Sequence, residues 1–377
     1  MKRIIYITIL ALMLLAACTK PSLAPAPAPE QYDRYIFFSH SVETKATLVE
    51  NAGDIGTFGV VGFKYDFYAK DEDGNYVKDA DGNLVENTWD EYKNTTPDPN
   101  VFYDEVINSE GTSTYDITPV ETVWVTAGAD GTTADYSPLQ GWSNNKKYAF
   151  FAFYPHDLEL VNLDGDTPYS GGVPAVKYSM NPADLKASMV DVMTAGHYED
   201  RYWKSSGDNN IENDEINFSF SHRLSCLGLD ISNLGKGTIN LNAIKLTLSD
   251  LRYHQMIILL DGTGVTKTEA ASGNAVLSLD LTGEETLTAD KTQELTDKLI
   301  FIPQETALSF ELEIDYTRVA TGYNDSRDSF KTSLSTQLEE GKKYLINIKF
   351  TDSTVEVKEN MDAGAWTDIP PVNSSFK

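Results

Sequence analysis

From Tyr35 onward, this chain alternates short apolar or β-branched runs with turn-forming residues. Gly, Asp, Asn and Pro separate the runs, and few windows keep a helical period beyond about ten residues. Strands show period-two alternation or short apolar runs, whereas helices need apolar positions three and four residues apart. The pattern therefore predicts a mostly β body.

The strand candidates are rich in β-branched and aromatic residues and end at turn-forming residues. They are Tyr35–Ser41, Val60–Ala69, Glu121–Thr126, Lys147–Tyr154, Glu215–Ser232, Ile239–Ser249, Met256–Leu260, Ala275–Leu281, Lys298–Ile302, Leu308–Tyr316, Lys343–Asp352 and Thr354–Lys358. This spacing is typical of β-sandwiches and not of a parallel sheet with crossover helices.

Three segments interrupt the strand pattern. Pro182–Met193, with Asn181 as a candidate cap, predicts either a short helix or an irregular crossing. The acidic stretch Ser205–Asp214 predicts a loop, and Ser232–Gly237 predicts a turn or linker. We place a domain boundary near the last of these, which gives domains at 35–235 and 236–377, with the acidic stretch as the rival boundary.

Residues 1–17 have the layout of a secretion signal. Lys2 and Arg3 give a positive start, and the apolar run Ile4–Leu15 leads to small residues before Cys18. The run is too short to span a membrane, which takes about 20 apolar residues. Its end resembles a lipobox, in which the cysteine is acylated, so we expect the mature chain to begin at a lipidated Cys18.

Residues 18–34 predict a lipidated, Pro-rich spacer. Pro21–Pro29 should be extended and polyproline-like, which would lift the body off the membrane. The chain has two cysteines, so acylation of Cys18 leaves Cys226 without a disulfide partner.

The charge balance excludes one class of partner. The chain has a formal net charge of −27, and such a surface repels nucleic acid and anionic lipid headgroups. We therefore expect no nucleic-acid partner, and we expect attachment to the outer membrane through the lipid on Cys18 and not through a basic patch.

Two acidic repeats, Asp71–Asn75 and Asp79–Asn83, suggest calcium because alternating carboxylates and amides can converge on a hard cation. The Gly and Glu positions of an EF-type loop are not matched. Two Asp-Gly turns at a hairpin rim are the favoured interpretation, and a weak extracellular calcium site stays open.

The histidines do not form a metal-binding pattern, since no His-Glu-x-x-His pair or second cysteine completes a zinc set. Phe218, Phe220 and His222 alternate along one predicted strand and fall on one face. We therefore expect His222 to lie at a core edge with a hydrogen-bonded ring.

Catalysis has no positive signal in the sequence. It contains no Gly-x-Ser-x-Gly elbow, phosphate loop or dinucleotide fingerprint. With 57 acidic residues, a carboxylate pair at glycosidase spacing arises by chance. We expect neither an enzyme nor a cofactor.

Four segments, in this order, resemble the fimbrillin family, the lipoprotein pilins of Bacteroides, Porphyromonas and relatives. The likeness extends over most of the mature chain. The segments are Leu15–Cys18 followed by Tyr35–Ser39, Lys147–Pro155, Asp191–Ala195 leading to Ile216–Ser225, and Leu338–Ile348 closed by Trp366.

The resemblance implies two transthyretin-like β-sandwich domains in tandem, export as an outer-membrane lipoprotein, and donor-strand exchange with other pilin subunits. In that scheme an Arg-directed protease removes the first strand. The exposed hydrophobic groove then takes a strand from another subunit, which is a form of β-augmentation. Binding of a host surface ligand is left open.

The sequence departs from the family pattern at the processing site. No arginine lies between Arg34 and Arg201, and cutting at Arg34 would release the lipid without removing the first strand. Either Lys45 serves a different protease or the subunit stays uncut. An uncut subunit would keep its lipid and its first strand, as an anchor would. The short tail after Trp366, interrupted by Pro370-Pro371, favours a tip or accessory subunit over a repeating stalk.

The competing interpretation is a glycan- or ligand-binding surface lipoprotein that is not part of a fibre. It would use exposed aromatic side chains, with Trp89, Trp142 and Trp203 as the candidates.

Overall fold

The computed structural model describes the strand-bearing body of the chain. The described residues are 36–42, 57–97, 125–127, 133–135, 141–165, 167–181, 190–195, 198–204, 209, 215–249, 251–269, 275–278, 286–294, 299–319, 326–358 and 364–365. Several predicted features lie outside them, namely Cys18, the Pro21–Pro29 spacer, Arg34, Lys45, Trp366, residues 182–189 of the predicted helix and nearly all of Ser205–Asp214.

The body, Tyr35–Lys377, forms one unit, and the regular secondary structure of its described residues is almost all β-strand, which confirms the all-β fold class. A single α-helical turn among them, α1 (Trp89–Tyr92), begins after Thr88, whose side chain accepts a hydrogen bond from the Glu91 amide. A 3₁₀ turn, Lys93–Thr95, follows it directly.

The largest sheet has eight strands from the first part of the body. They are β1 (Phe37–Val42), β2 (Thr57–Asp66), β3 (Val125–Ala127), β4 (Thr133–Asp135), β5 (Lys146–Tyr154), β8 (Met193–Ala195), β9 (Tyr198–Arg201) and β10 (Glu215–His222). Their order is β2-β3-β4-β1-β10-β8-β5-β9. A further pairing of β2 with β5 closes this path of strands into a ring.

Strands β2 and β5 are buried on both faces, which explains their nearly continuous apolar sequence. Successive side chains of a strand point to opposite faces. On β5, Tyr148 and Phe150 pack in one apolar cluster, whereas Ala149 and Phe151 pack in another. The first cluster also receives side chains from β1 and β10, and the second extends through the rest of the body.

Two further sheets come from the second part of the body. The six-stranded sheet contains β11 (Ser225–Asn233), β17 (Lys291–Glu294), β18 (Leu299–Phe301), β21 (Lys342–Phe350), β22 (Val355–Lys358) and β23 (Gly364–Ala365). The five-stranded sheet contains β12 (Thr238–Ser249), β15 (Ala275–Ser278), β16 (Thr286–Leu287), β19 (Leu308–Val319) and β20 (Ser326–Thr336).

A four-stranded sheet joins strands from both sides of residue 235. It has the order β14-β13-β7-β6 and consists of β6 (Glu159–Val161), β7 (Ala175–Ser179), β13 (Tyr253–Leu259) and β14 (Val265–Glu269). The segment Leu234–Gly237 is a short connection between β11 and β12. The division into tandem domains at 235/236 stays a prediction, and any such division has to account for the β7–β13 ladder.

The predicted strand Glu215–Ser232 is wrong in one respect, because it is two strands, β10 and β11. The chain bends at Arg223 and Leu224 as it passes from the first sheet to the six-stranded sheet. Leu224 is fully buried at this bend, so hydrophobicity continues through it and conceals the break from a pattern-based prediction.

Candidate functional site

The first strand, β1, lies inside the eight-stranded sheet between β4 and β10. It runs parallel to β10 over six residue pairs, from Phe37 beside Glu215 to Val42 beside Phe220. It pairs antiparallel with β4 at only two positions. A segment close to the start of the body therefore fills a slot, which we call the β1 slot, between two strands that come from later in the chain.

Two side chains from this segment are buried in the core. Ile36 is 0% exposed and Phe38 is 1% exposed. The Phe38 ring stacks on Phe218 at 5.4 Å between centroids and meets Phe150 edge-on at 5.6 Å. Burying a large apolar side chain contributes about 1.5–3 kcal/mol, and each aromatic pair adds roughly 0.5–1.5 kcal/mol.

The lining of the β1 slot is aromatic as well. The Phe58 ring lies 5.2 Å from Phe220 and 6.1 Å from Phe218, and Trp142 packs edge-on against Tyr148 at 4.8 Å. These rings belong to the same apolar cluster as Phe38. Removing β1 would uncover the Phe150 and Phe218 rings that Phe38 contacts and leave backbone groups of β10 unpaired along one edge. An emptied slot would therefore combine an apolar lining with an unpaired strand edge.

The bend that follows β10 is held by a buried polar pair. His222 and Asp191 are 4% and 3% exposed, and the His222 Nδ1 atom lies 2.9 Å from Asp191 Oδ1. The same stretch is tied by Arg223, whose amide donates to the Val192 carbonyl at 2.8 Å. The pair joins the chain that enters β8 to the end of β10.

A turn from the C-terminal part of the body closes over the same bend. Ser225 Oγ donates to the Glu339 carbonyl at 2.6 Å, and the Gly341 amide donates to the Leu224 carbonyl at 3.0 Å. Gly341 has a φ of +65°, and a Cβ there would lie 3.3 Å from the His222 carbonyl oxygen. Glycine suits both the backbone conformation and the close approach.

After the bend, β11 pairs in parallel with β21 over eight residues, from Cys226 beside Lys343 to Asn233 beside Phe350. Among the described strands, β1–β10 and β11–β21 are the two parallel pairs. The bent segment Glu215–Asn233 therefore connects the β1 slot directly to the six-stranded sheet.

The acidic repeats form turns, as favoured from the sequence. Asp71 Oδ1 accepts hydrogen bonds from the amides of Asp73 and Asn75, and Asp79 Oδ1 does the same for Asp81 and Asn83. The hydrogen bond from the Asn83 amide is the main cause of a lowered pKa for the Asp79 carboxyl. No group of three His, Cys, Asp or Glu side chains that could hold a metal ion occurs among the described residues.

The aromatic residues proposed for a glycan platform are buried. Trp89, Trp142 and Trp203 are 0%, 2% and 8% exposed, so they pack in the core and cannot present a face to a ligand. No helix in the described part of the chain is long and apolar enough to cross a membrane.

Sequence reasoning selected His222 but missed its partners. Asp191 lies 31 residues away in the chain, and Gly341 lies in a turn more than a hundred residues later. Both residues lie in segments that carry the family resemblance. That resemblance was therefore the one available indication that these segments come together in the fold.

Comparisons with known proteins agree with this architecture. A fimbrial protein from Bacteroides vulgatus ATCC 8482 is similar in structure, with a TM-score of 0.55 and 16% identity; the match covers 89% of this chain and 100% of that chain. Two proteins described as cell adhesion proteins also match. The one from Bacteroides uniformis ATCC 8492 has a TM-score of 0.42, 14% identity, and coverage of 90% of this chain and 100% of its own. The one from Bacteroides ovatus ATCC 8483 has a TM-score of 0.47, 14% identity, and coverage of 90% and 99%.

No curated protein matches the chain in sequence. The sequence model described as fimbrillin-like matches residues 99–366, which is well over half of the chain. This match includes the bend after β10, the Asp191–His222 pair and the turn that closes over them. The protein therefore belongs to the fimbrillin-like family.

Proposed function

We propose that this protein is a non-enzymatic structural or adhesive subunit of a type V pilus, exported as an outer-membrane lipoprotein and joined to other pilin subunits by strand exchange at the β1 slot. Its family and the structurally similar fimbrial protein support a fimbrial or adhesive role at the cell surface. The finer proposal rests on the position of β1, a short segment near the start of the body that fills an interior place in the sheet.

The energetics of the slot favour exchange over simple loss of a strand. With β1 gone, the apolar surface once covered by Ile36 and Phe38 would face water, and the β10 edge would lack its parallel partner. Both penalties disappear when a strand from another subunit enters. The occupant gains backbone hydrogen bonds and buried side chains together, which is the basis of β-augmentation.

The arginine positions favour a minor subunit, at the tip, in an accessory place or at the anchor. Arg34 precedes β1, so a cut there leaves the slot filled while it separates the body from Cys18. The first basic residue after β1 is Lys45. Cleavage after Lys45 by a different protease would open the slot for strand exchange, as a tip or accessory subunit requires. A subunit that stays uncut would keep its own β1 and its lipid, and would end the exchange of strands as an anchor.

Limited digestion with trypsin tests this proposal. The substrate is the chain from Thr19 to Lys377, which contains the spacer and the body. The products are identified by N-terminal sequencing and sized by light scattering. We expect cleavage after Lys45, loss of β1 and growth of oligomers. The matched variant Lys45→Gln should lose that cleavage and stay monomeric. A body that loses β1 yet remains a stable monomer would contradict strand exchange.

A further inference from the structure

The Asp191–His222 pair lies beside the short ladder that joins β8 to β10. Strand β8 pairs with β10 at only three positions, from Ala195 beside Phe220 to Met193 beside His222. Strand β1 covers the opposite edge of β10, from Glu215 to Phe220. When β1 leaves, this three-residue ladder is the strand pairing that keeps β10 in the sheet among the described residues, beside ring contacts of Phe218 and Phe220 with Phe58.

A ladder of three residue pairs supplies few backbone hydrogen bonds, so its register depends on side-chain contacts as well. Met193 and Ala195 point into the same apolar cluster as Phe220, and a slip of one residue would turn them to the other face. The Asp191–His222 hydrogen bond fixes the chain two residues before β8 against the last residue of β10. Together with the hydrogen bond from the Arg223 amide to the Val192 carbonyl, it favours the observed register.

The pair is poorly explained as a source of stability alone. Asp191 Oδ2 is buried and has no hydrogen-bond partner among the described residues. Burying a carboxylate with one oxygen unsatisfied is unfavourable, and apolar replacements of such pairs are often neutral or stabilising. The best-attested use of a buried polar pair is to fix register.

We propose that Asp191 and His222 are positioning residues that pin β8 to β10 and keep the β1 slot in its receptive shape while it is empty. This inference rests on the strand exchange proposed above. It adds that the affinity of the slot for an incoming strand depends on a contact outside the slot. If only a fraction of the empty slots has the receptive shape, the apparent affinity for an incoming strand falls in proportion to that fraction.

The test uses the body Thr19–Lys377 cleaved after Lys45, with a labelled peptide of sequence Tyr35–Lys45 as the incoming strand. The key variant is the double substitution Asp191→Leu with His222→Phe, which removes both polar groups and keeps the site apolar. Its uncleaved form should unfold at the parent temperature or above. After cleavage it should bind the peptide about tenfold or more weakly, as expected for loss of one charge-assisted hydrogen bond.

Two further variants separate positioning from general damage. Asp191→Asn keeps an acceptor for His222 and should retain peptide affinity within about threefold of the parent. Asp315→Asn removes the exposed partner of Arg327 and should leave affinity unchanged.

Equal peptide affinity for the double variant and the parent would overturn the positioning role while leaving strand exchange intact. A cleaved parent that neither releases β1 nor takes up the peptide would overturn strand exchange itself, and this inference with it.

Discussion

Phe38 on β1 stacks on Phe218 on β10, with ring centroids 5.4 Å apart and planes inclined by 26°. The two residues are 180 positions apart in the chain, and the contact ties the first strand of the body to the strand that leads into the second part. The slot that β1 occupies is therefore part of the aromatic core and not a surface groove.

Replacement of Phe38 by alanine should strongly destabilise the intact body. The ring is 1% exposed and contacts Phe150 and Phe218, and a buried Phe→Ala change costs about 3–5 kcal/mol. Urea unfolding monitored by circular dichroism measures the loss. Leu163→Ala, at a side chain that is 61% exposed, is the control and should change little. A Phe38→Ala loss below about 1 kcal/mol would mean that β1 is not anchored in the core.

Replacement of Gly341 by alanine should destabilise the bend after β10. A non-glycine residue in the left-handed region costs about 1–2 kcal/mol, and the new methyl group would lie 3.3 Å from the His222 carbonyl oxygen. Gly264→Ala is the matched control, since a Cβ there meets only Leu259 at an ordinary 3.6 Å. Equal unfolding temperatures for the two variants would contradict the close packing of Gly341 against the bend.

Alkaline pH should weaken the link between β7 and β13. Burial raises the pKa of Tyr178, on β7, to about 12, whereas an unfolded tyrosine has a pKa of about 10. The folded state thus prefers the neutral phenol, so this contribution is complete below about pH 10 and is lost as the pH rises to about 12. Within that window the free energy of unfolding should fall by about 1.4 kcal/mol per pH unit on account of Tyr178.

The variant Tyr178→Phe has no phenol to ionise. Its free energy of unfolding should decline less steeply than that of the parent between about pH 10 and pH 12. Parallel declines in parent and variant, measured by urea titration at several pH values, would contradict the assignment.

Calcium should not stabilise the acidic turns. The Asp79 carboxylate already accepts hydrogen bonds from the amides of Asp81 and Asn83, so its removal should loosen the turn. Asp79→Ala should speed hydrogen exchange at these two amides, while the neighbouring Asp81→Ala should not speed exchange at Asn83. The melting temperature of the parent should be equal in calcium and in chelator. A melting temperature that rises on addition of calcium in the parent, but not in Asp79→Ala, would restore the metal-site interpretation.

Local sequence patterns predict the long buried strands, but not the short buried strands β7 and β8. The apolar run of β5 and the alternation of Phe218, Phe220 and His222 on β10 follow directly from period-two burial. The edge strand β20 was missed because its residues are mostly exposed and polar, and only its ladder with β19 makes it a strand. Charged residues are common on edge strands because they discourage pairing with another chain.

Long-range pairings were beyond the reach of the local pattern. Nothing in the sequence around Phe38 indicates that β1 runs parallel to β10, because register and direction depend on which distant strand lies beside it. The Asp191–His222 contact is similar, since each residue alone is compatible with many partners. The family resemblance indicates which segments are important, but only the folded structure shows which of them are in contact.

A disulfide lock on β1 is the sharpest test of assembly through the β1 slot. Ser39 and Asn217 are register partners on β1 and β10, so cysteines at both positions can be oxidised to hold β1 in its slot after cleavage at Lys45. Size-exclusion chromatography with light scattering then compares the cleaved body in oxidised and reduced forms. If subunits exchange strands through the β1 slot, the oxidised form stays monomeric and reduction starts oligomer growth. Oligomers that grow equally well with β1 locked in place would contradict assembly through the β1 slot.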